Sequence, residues 1–206
     1  MNFLRTTLLT TSTLIAISGF SQKKGQDEII DVTNVTKATF LNPGISYEAR
    51  IGKKQTLYGQ AFMNTSFSFS YSDYFGSDVN IYFDPALTAQ YRYYYNGEKR
   101  QKDGRRTEMN SMNYIAPVYE VTFTRAPISD KYYIEENRRA MSRIGVLWGF
   151  QRNYKSRFSF DLNLGLGCLI AKSTSSDNMG ELVSKTESQF TMLSQLNLGF
   201  WLNKRK

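Results

Sequence analysis

Between residues 56 and 71 large apolar and small polar side chains alternate with period two. Leu57, Ala61, Met63, Phe67, Phe69 and Tyr71 take the odd positions, and Thr56, Gln60, Asn64, Ser66, Ser68 and Ser70 the even ones. Such alternation predicts a strand with one apolar and one polar face. The pattern returns over 78–96, where Ile81, Phe83, Leu87, Ala89, Tyr91, Tyr93 and Tyr95 oppose Asp84, Thr88, Gln90 and Arg92. Over 112–125 it separates Ile115, Val121 and Phe123 from Glu120, Thr122 and Thr124, and over 140–151 it sets Ile144, Val146, Trp148 and Phe150 against Arg143 and Gln151. Residues 157–170 place Phe158, Phe160, Leu162, Leu164, Leu166, Cys168 and Ile170 opposite Ser159, Asp161, Asn163 and two glycines. A last run, 189–203, opposes Phe190, Met192, Leu196, Leu198, Phe200 and Leu202 to Gln195, Asn197 and Asn203. No segment after residue 32 reads as a helix.

Two architectures accept such faces. In a soluble sandwich or small barrel the apolar face turns inward. In a transmembrane barrel the sense is inverted, with an apolar band toward lipid and a polar interior. Run length favours the second, because globular strands are most often about 5–6 residues long. Strands that cross a bilayer need roughly 9–11 tilted residues and project beyond it. The small polar residues of the other face suit a crowded interior. The fold expected is therefore all-β, a single eight-stranded antiparallel up-and-down transmembrane β-barrel.

The count of eight comes from parity. The connections "GKK" (52–54) and "RNYKS" (152–156) are short, whereas 126–137 and 173–188 are long and polar. Short connections belong to the periplasmic end and long ones to the outside. Both termini then lie in the periplasm, which requires a rising strand, "NVTKATFL", before the descending "GISYEARI", with "NPG" (42–44) as the outer turn. The competing reading takes "TFLNPGISYEARI" as one long bent strand.

Composition narrows the chemistry. The chain has 206 residues, 41% hydrophobic and 15% aromatic, with 14 Tyr, 14 Phe and 4 Pro, and a mean hydropathy of −0.44. Its body holds no apolar run long enough for a transmembrane helix. Histidine is absent, which removes the commonest general base and metal ligand. The single cysteine, Cys168, sits in apolar "LGLGCLIA" and can form no internal disulfide. We therefore expect no enzyme, cofactor or metal. The net charge of +8 and pI near 9.5 come from scattered cations, so anionic head groups rather than nucleic acid are the expected counterpart.

The first residues, "MNFLRTTLLTTSTLIAISGFSQ", carry Arg5, an apolar stretch of about a dozen residues and small residues at Gly19 and Ser21. They predict a cleavable signal peptide over 1–21, then a flexible lead-in (22–31) and the barrel domain (32–206). The inward faces offer Glu48, Asp84, Glu120 and Asp161, with Arg50, Arg92 and Arg143 as partners. Buried charges of this kind should be paired, as a plug that stiffens the barrel or, alternatively, as a gated polar path. The connection 97–109 clusters Lys99, Arg100, Lys102, Arg105 and Arg106 on the periplasmic side. It is expected as a solvated turn, or as a docking point for a partner.

The segments "TFLNPGISYEARIGKKQTLYGQA", "YRYYYNGEKRQKDGRRTEMNSMNY", "GVLWGFQRNYKSRFSFDLNLGLG" and "QLNLGFWL" resemble small outer-membrane β-barrel proteins of Bacteroidetes-type bacteria. The resemblance implies the outer membrane of a Gram-negative cell and no assigned activity. It also implies as partners outer-membrane lipid and lipopolysaccharide, the barrel assembly machinery and an unidentified protein. A structural, anchoring or interaction role is expected. The alternatives are a narrow channel for ions or small solutes and an accessory subunit of an outer-membrane secretion or assembly machine.

Overall fold

The computed structural model describes residues 31–72, 76–125, 137–176 and 182–204. The expected signal peptide and most of the lead-in lie outside these residues, as does nearly all of the connection 126–137. Eight strands run in chain order: β1 (Val35–Leu41), β2 (Gly44–Arg50), β3 (Gln55–Ser72), β4 (Gly76–Tyr94), β5 (Asn113–Thr124), β6 (Arg139–Asn153), β7 (Phe158–Ser176) and β8 (Leu182–Trp201). Each pairs antiparallel with the next, and β8 returns to β1 through Lys37↔Trp201, Ala38↔Phe200, Thr39↔Gly199 and Leu41↔Leu198, so the sheet closes into a ring.

The first pair is split as parity required. Asn42 adopts a left-handed backbone (φ 54°), which asparagine tolerates, and Pro43 follows it in a tight turn. The Thr39 hydroxyl donates to the Asn42 carbonyl at 2.8 Å and closes the turn from within. Connections 51–54, 95–112 and 154–157 gather at one end of the ring with residues 31–34 and 202–204; this is the near end. The hairpin turn at 42–43 and the breaks between β3 and β4, β5 and β6, and β7 and β8 gather at the far end.

Two expectations need correction. The polar stretch 173–188 is mostly strand: β7 and β8 stay paired from Ala171↔Glu187 to Ser176↔Leu182. Residues 183–186 and 188–190 are exposed on both faces, so this part of β8 stands clear of the ring. Along 183–186 β8 has no buried face, hence no apolar face for a sequence pattern to report. The 97–109 connection also holds a short helix, α1 (Gly97–Lys102), and a helical turn at Glu108–Asn110. Both are too short to display a helical period.

The polarity of the ring follows the strand alternation. Lys37, Glu48, Gln90, Arg92, Gln151, Asp161, Asn163 and Asn197 point inward and are buried. Ile45, Leu57, Leu87, Ile115, Val146, Leu166, Phe190 and Met192 point outward and are exposed. The interior is narrow enough to need glycine. A Cβ added at Gly149 on β6 would fall within the Tyr114 ring, whereas one at Gly59, on the outer face of β3, meets nothing closer than a carbonyl oxygen at 4.0 Å. We predict that Gly149→Val lowers stability to urea by roughly 1–3 kcal/mol or more, as overpacking does. Gly59→Ala should leave the unfolding midpoint unchanged; equal effects would mean that the interior is looser than described.

Candidate functional site

Toward the near end of the ring the inward faces of the strands meet in one polar cluster. The Arg92 guanidinium (β4) is fully buried. It donates to Gln90 Oε1 at 2.8 Å, to Gln151 Oε1 at 2.9 Å and to Asp161 Oδ2 at 2.9 Å. Its plane lies between two aromatic rings, 3.6 Å from the Tyr58 centroid and 4.2 Å from that of Tyr114, where the ring quadrupoles favour a cation. Lys37 Nζ (β1) stands 3.6 Å from the same Asp161 oxygen and also donates to Gln151 Oε1. The other Asp161 oxygen accepts from the Tyr114 hydroxyl at 2.8 Å. Glu48 (β2) accepts from Thr56 and Tyr94, each at 2.6 Å, and from Gln151 Nε2 at 3.3 Å. Two cations and two carboxylates thus balance, and Gln151 joins them by accepting from both cations while donating to Glu48.

Below this cluster the near end is sealed. Val32, Met112, Tyr94, Tyr114 and Ala116 form a buried apolar layer. The Asn110 side chain accepts from Thr33 N–H and donates to the Thr33 carbonyl, both at 2.8 Å, which fastens the incoming chain to the β4–β5 connection. Met109 and Asn110 take left-handed backbones (φ 53° and 59°). That turn presents the Met109 carbonyl to Gln151 and Asn153.

The seven expected interior charges separate into four places. Glu48, Arg92 and Asp161 meet in the cluster. Glu120 and Arg143 pair with each other at 2.6 Å further toward the far end. Asp84 lies beyond them, with Arg138 at 3.9 Å. Arg50 does not reach the interior; it is half-exposed at the near rim and pairs with Asp31 at 2.6 Å. The cause is height along the strand: Arg92 and Asp84 share a face of β4 but are eight residues apart, about 27 Å at the usual rise. Parity reports the face and not the level.

Lys37, Tyr58, Tyr94 and Tyr114 belong to the cluster, although the alternation pattern did not single them out. Tyr58 and Tyr94 fall on the polar parity of their strands, and that was the available signal.

In the 97–109 connection Lys99, Lys102 and Arg105 are exposed. Arg100 instead donates to the Arg106 carbonyl through Nε (3.3 Å) and Nη2 (3.1 Å), and Arg106 pairs with Glu108, so these two arginines shape the turn. Glu98 ties α1 to the neighbouring connection through Lys54, whose ammonium hydrogen bond holds the Glu98 carboxyl below the usual carboxylate range.

Toward the far end lies a cavity of about 290 Å³, walled by Gln90, Val118, Glu120, Arg143, Leu147 and Asn163 and bounded by β3 and β8. Among the described residues no three acidic or cysteine side chains are grouped to hold a metal ion. Compared with known proteins, the chain matches no family model, no curated protein and no solved structure.

Removing one member of a buried pair strands the other, at about 3–5 kcal/mol. We predict that Asp161→Asn destabilises the ring by an amount of this order in urea. Arg92→Met combined with Asp161→Leu should cost less than the sum of the two single changes. Additive losses would show that the pair is not a unit.

Proposed function

We propose that this chain is an integral outer-membrane β-barrel protein with an anchoring or interaction role and no catalytic one. The observation that carries the reading is the inverted polarity of the closed sheet. Charged and amide side chains occupy much of the inside, beside the apolar groups Val118, Leu147 and Leu193 and Met141, Leu169 and Ala171, while leucine, isoleucine, valine and aromatic side chains cover the outside. An exterior so apolar is costly in water and favourable in hydrocarbon. Over the height at which all eight strands are paired, such a ring satisfies its backbone in lipid without help from solvent.

Further support comes from the aromatic side chains near one end. Tyr91, Tyr93, Tyr95, Trp148 and Tyr154 all point outward toward the near end, and Trp148 Nε1 donates to the Tyr95 hydroxyl at 2.7 Å. Tyrosine and tryptophan favour the level of the lipid head groups. The expected leader and the resemblance to small outer-membrane barrels favour the outer membrane, with the near end in the periplasm.

A channel is the weaker reading. The ion-paired cluster fills the ring toward its near end, and the Val32–Met112 layer with the Asn110–Thr33 clamp closes that end below it. This leaves the exposed cations Lys99, Lys102 and Arg105 as the near-end feature suited to a periplasmic partner or anionic head groups.

The test joins two measurements. In SDS the unboiled membrane fraction should migrate differently from the boiled one, as a detergent-resistant barrel does. In planar bilayers the purified protein should give no steady conductance. Recovery from the periplasmic soluble fraction without a mobility shift would refute the membrane reading; stepwise conductance would replace anchoring by transport.

A further inference from the structure

The ring is not equally tall all round. The β2–β3 ladder ends at Gly44↔Phe62 and the β1–β8 ladder at Leu41↔Leu198, yet β3 runs on to Ser72 and β8 begins at Leu182. The tip of the β1–β2 hairpin is fixed between its neighbours. The Pro43 carbonyl accepts from Met63 N–H at 2.8 Å, and the Asn42 side chain donates to the Leu196 carbonyl at 3.1 Å. Above that tip, among the described residues, β3 and β8 have no ladder partner on the sides that face each other. Two strands are missing from the wall, a spacing of about 14 Å between the flanking edges.

The far-end cavity passes through this gap. Its lining includes residues whose side chains take both senses on each flanking strand: Asn64 inward and Thr65 outward on β3, Leu193 and Gln195 inward and Met192 and Ser194 outward on β8. The opening is flanked outside by apolar side chains, Met63 on β3 and Met192 and Phe190 on β8, the last two 75% and 68% exposed. Unpaired strand edges at membrane depth are tolerated only where they line a cavity, and here they do.

At the back of the cavity stand two buried amides with unused donors. Gln90 and Asn163 are each 2% exposed; Gln90 Nε2 and Asn163 Nδ2 have no hydrogen-bond partner among the described residues. The Gln90 amide is oriented from below: its Oε1 accepts from Arg92 Nε, so its Nε2 is left for the cavity. A buried donor without a partner is costly, and two of them lining one cavity call for acceptor oxygens. The charged group beside them is already neutralised, Arg143 by Glu120, so a second full counter-charge is not required. The remaining wall, Val118, Leu147, Leu169 and Leu193, is apolar.

We infer that the gap is a lateral portal, and that the cavity binds a single-chain amphiphile whose uncharged carbonyl oxygen, of an ester or a protonated carboxyl group, accepts from Gln90 and Asn163. The volume is at the small end for ligand sites, about 300–1,000 Å³. It therefore holds the head and the first part of the chain, and the remaining methylenes lie in the gap against Met63 and Met192. A strand of another protein laid in the gap would pair with the edges of β3 and β8 but leave both amides unsatisfied, so it fits less well. This inference rests on the membrane reading above, because only there does the portal open onto a source of amphiphile.

The test uses the purified protein in nanodiscs, with empty nanodiscs as the partition control and cis-parinaric acid, a fluorescent fatty acid, as probe. Saturable binding at one site per chain is expected, displaced by palmitic acid and by lysophosphatidylcholine but not by acetate or inorganic phosphate. Asn163→Leu removes one donor without touching the central cluster and should weaken binding about ten-fold, the order expected for one buried hydrogen bond. Thr65→Trp narrows the portal from its edge and should slow uptake at least as much. Both variants must retain the heat-dependent gel shift, which certifies the fold. A retained shift with no saturable binding, or with affinity unchanged by Asn163→Leu, overturns the inference and leaves the barrel reading intact. Loss of the shift in the unmodified protein refutes the barrel reading itself.

Discussion

A guanidinium without solvent contact, stacked between Tyr58 and Tyr114 and bonded to Asp161, governs much else in this ring. An unmatched charge in that place would cost several kcal/mol, so the neighbouring strands must bring their partners to one level. Asp161 arrives from β7, Gln151 from β6, Tyr114 from β5 and Lys37 from β1. The sheet closes through a short seam, only four register pairs between β1 and β8 with a bulge among them. The contacts from Lys37 to Asp161 and Gln151 reinforce that seam from inside. At the rim, Asn203 Oδ1 accepts from Thr36 N–H and the Thr36 carbonyl accepts from Leu202 N–H, both at 2.9 Å.

The two ends differ as a result. The near end is tied by backbone and amide hydrogen bonds among residues 31–34, 109–112 and 151–153, and little space is left there. The far end has long hairpins that outrun the β1–β2 pair, and its interior keeps a cavity. A ring sealed at one end and opened sideways at the other is poorly arranged for through-flow. It is better arranged to hold something that arrives from the side.

Much of this was legible in the sequence because strand alternation has a period of two. The eight strands and the tight turn at 42–43 follow from parity, but loop length sorts the two ends poorly: the short connections 51–54 and 154–157 share their end with the long connection 95–112, and the 42–43 turn lies at the other. What parity does not carry is height. Glu120 and Asp84 share the inward sense with Arg92, but they lie further toward the far end, and Arg50 leaves the interior because β2 ends there. The 173–188 stretch reads as a loop because β8 has no hidden face along 183–186. The portal is invisible in the chain for a related reason: it arises from a difference in length between β1–β2 and their neighbours, which only the ladder register reveals.

Whether the apolar outer face meets lipid can be read directly, because the chain carries its own probe. Cys168 is the only cysteine and is exposed on the outward face of β7, between Leu166 and Ile170. A fluorophore attached there in reconstituted vesicles can be challenged with spin-labelled lipid and with aqueous iodide. A face in lipid gives strong quenching by the lipid and little by iodide. Quenching by iodide with none from the lipid would place that face in water and rule out a membrane-embedded ring.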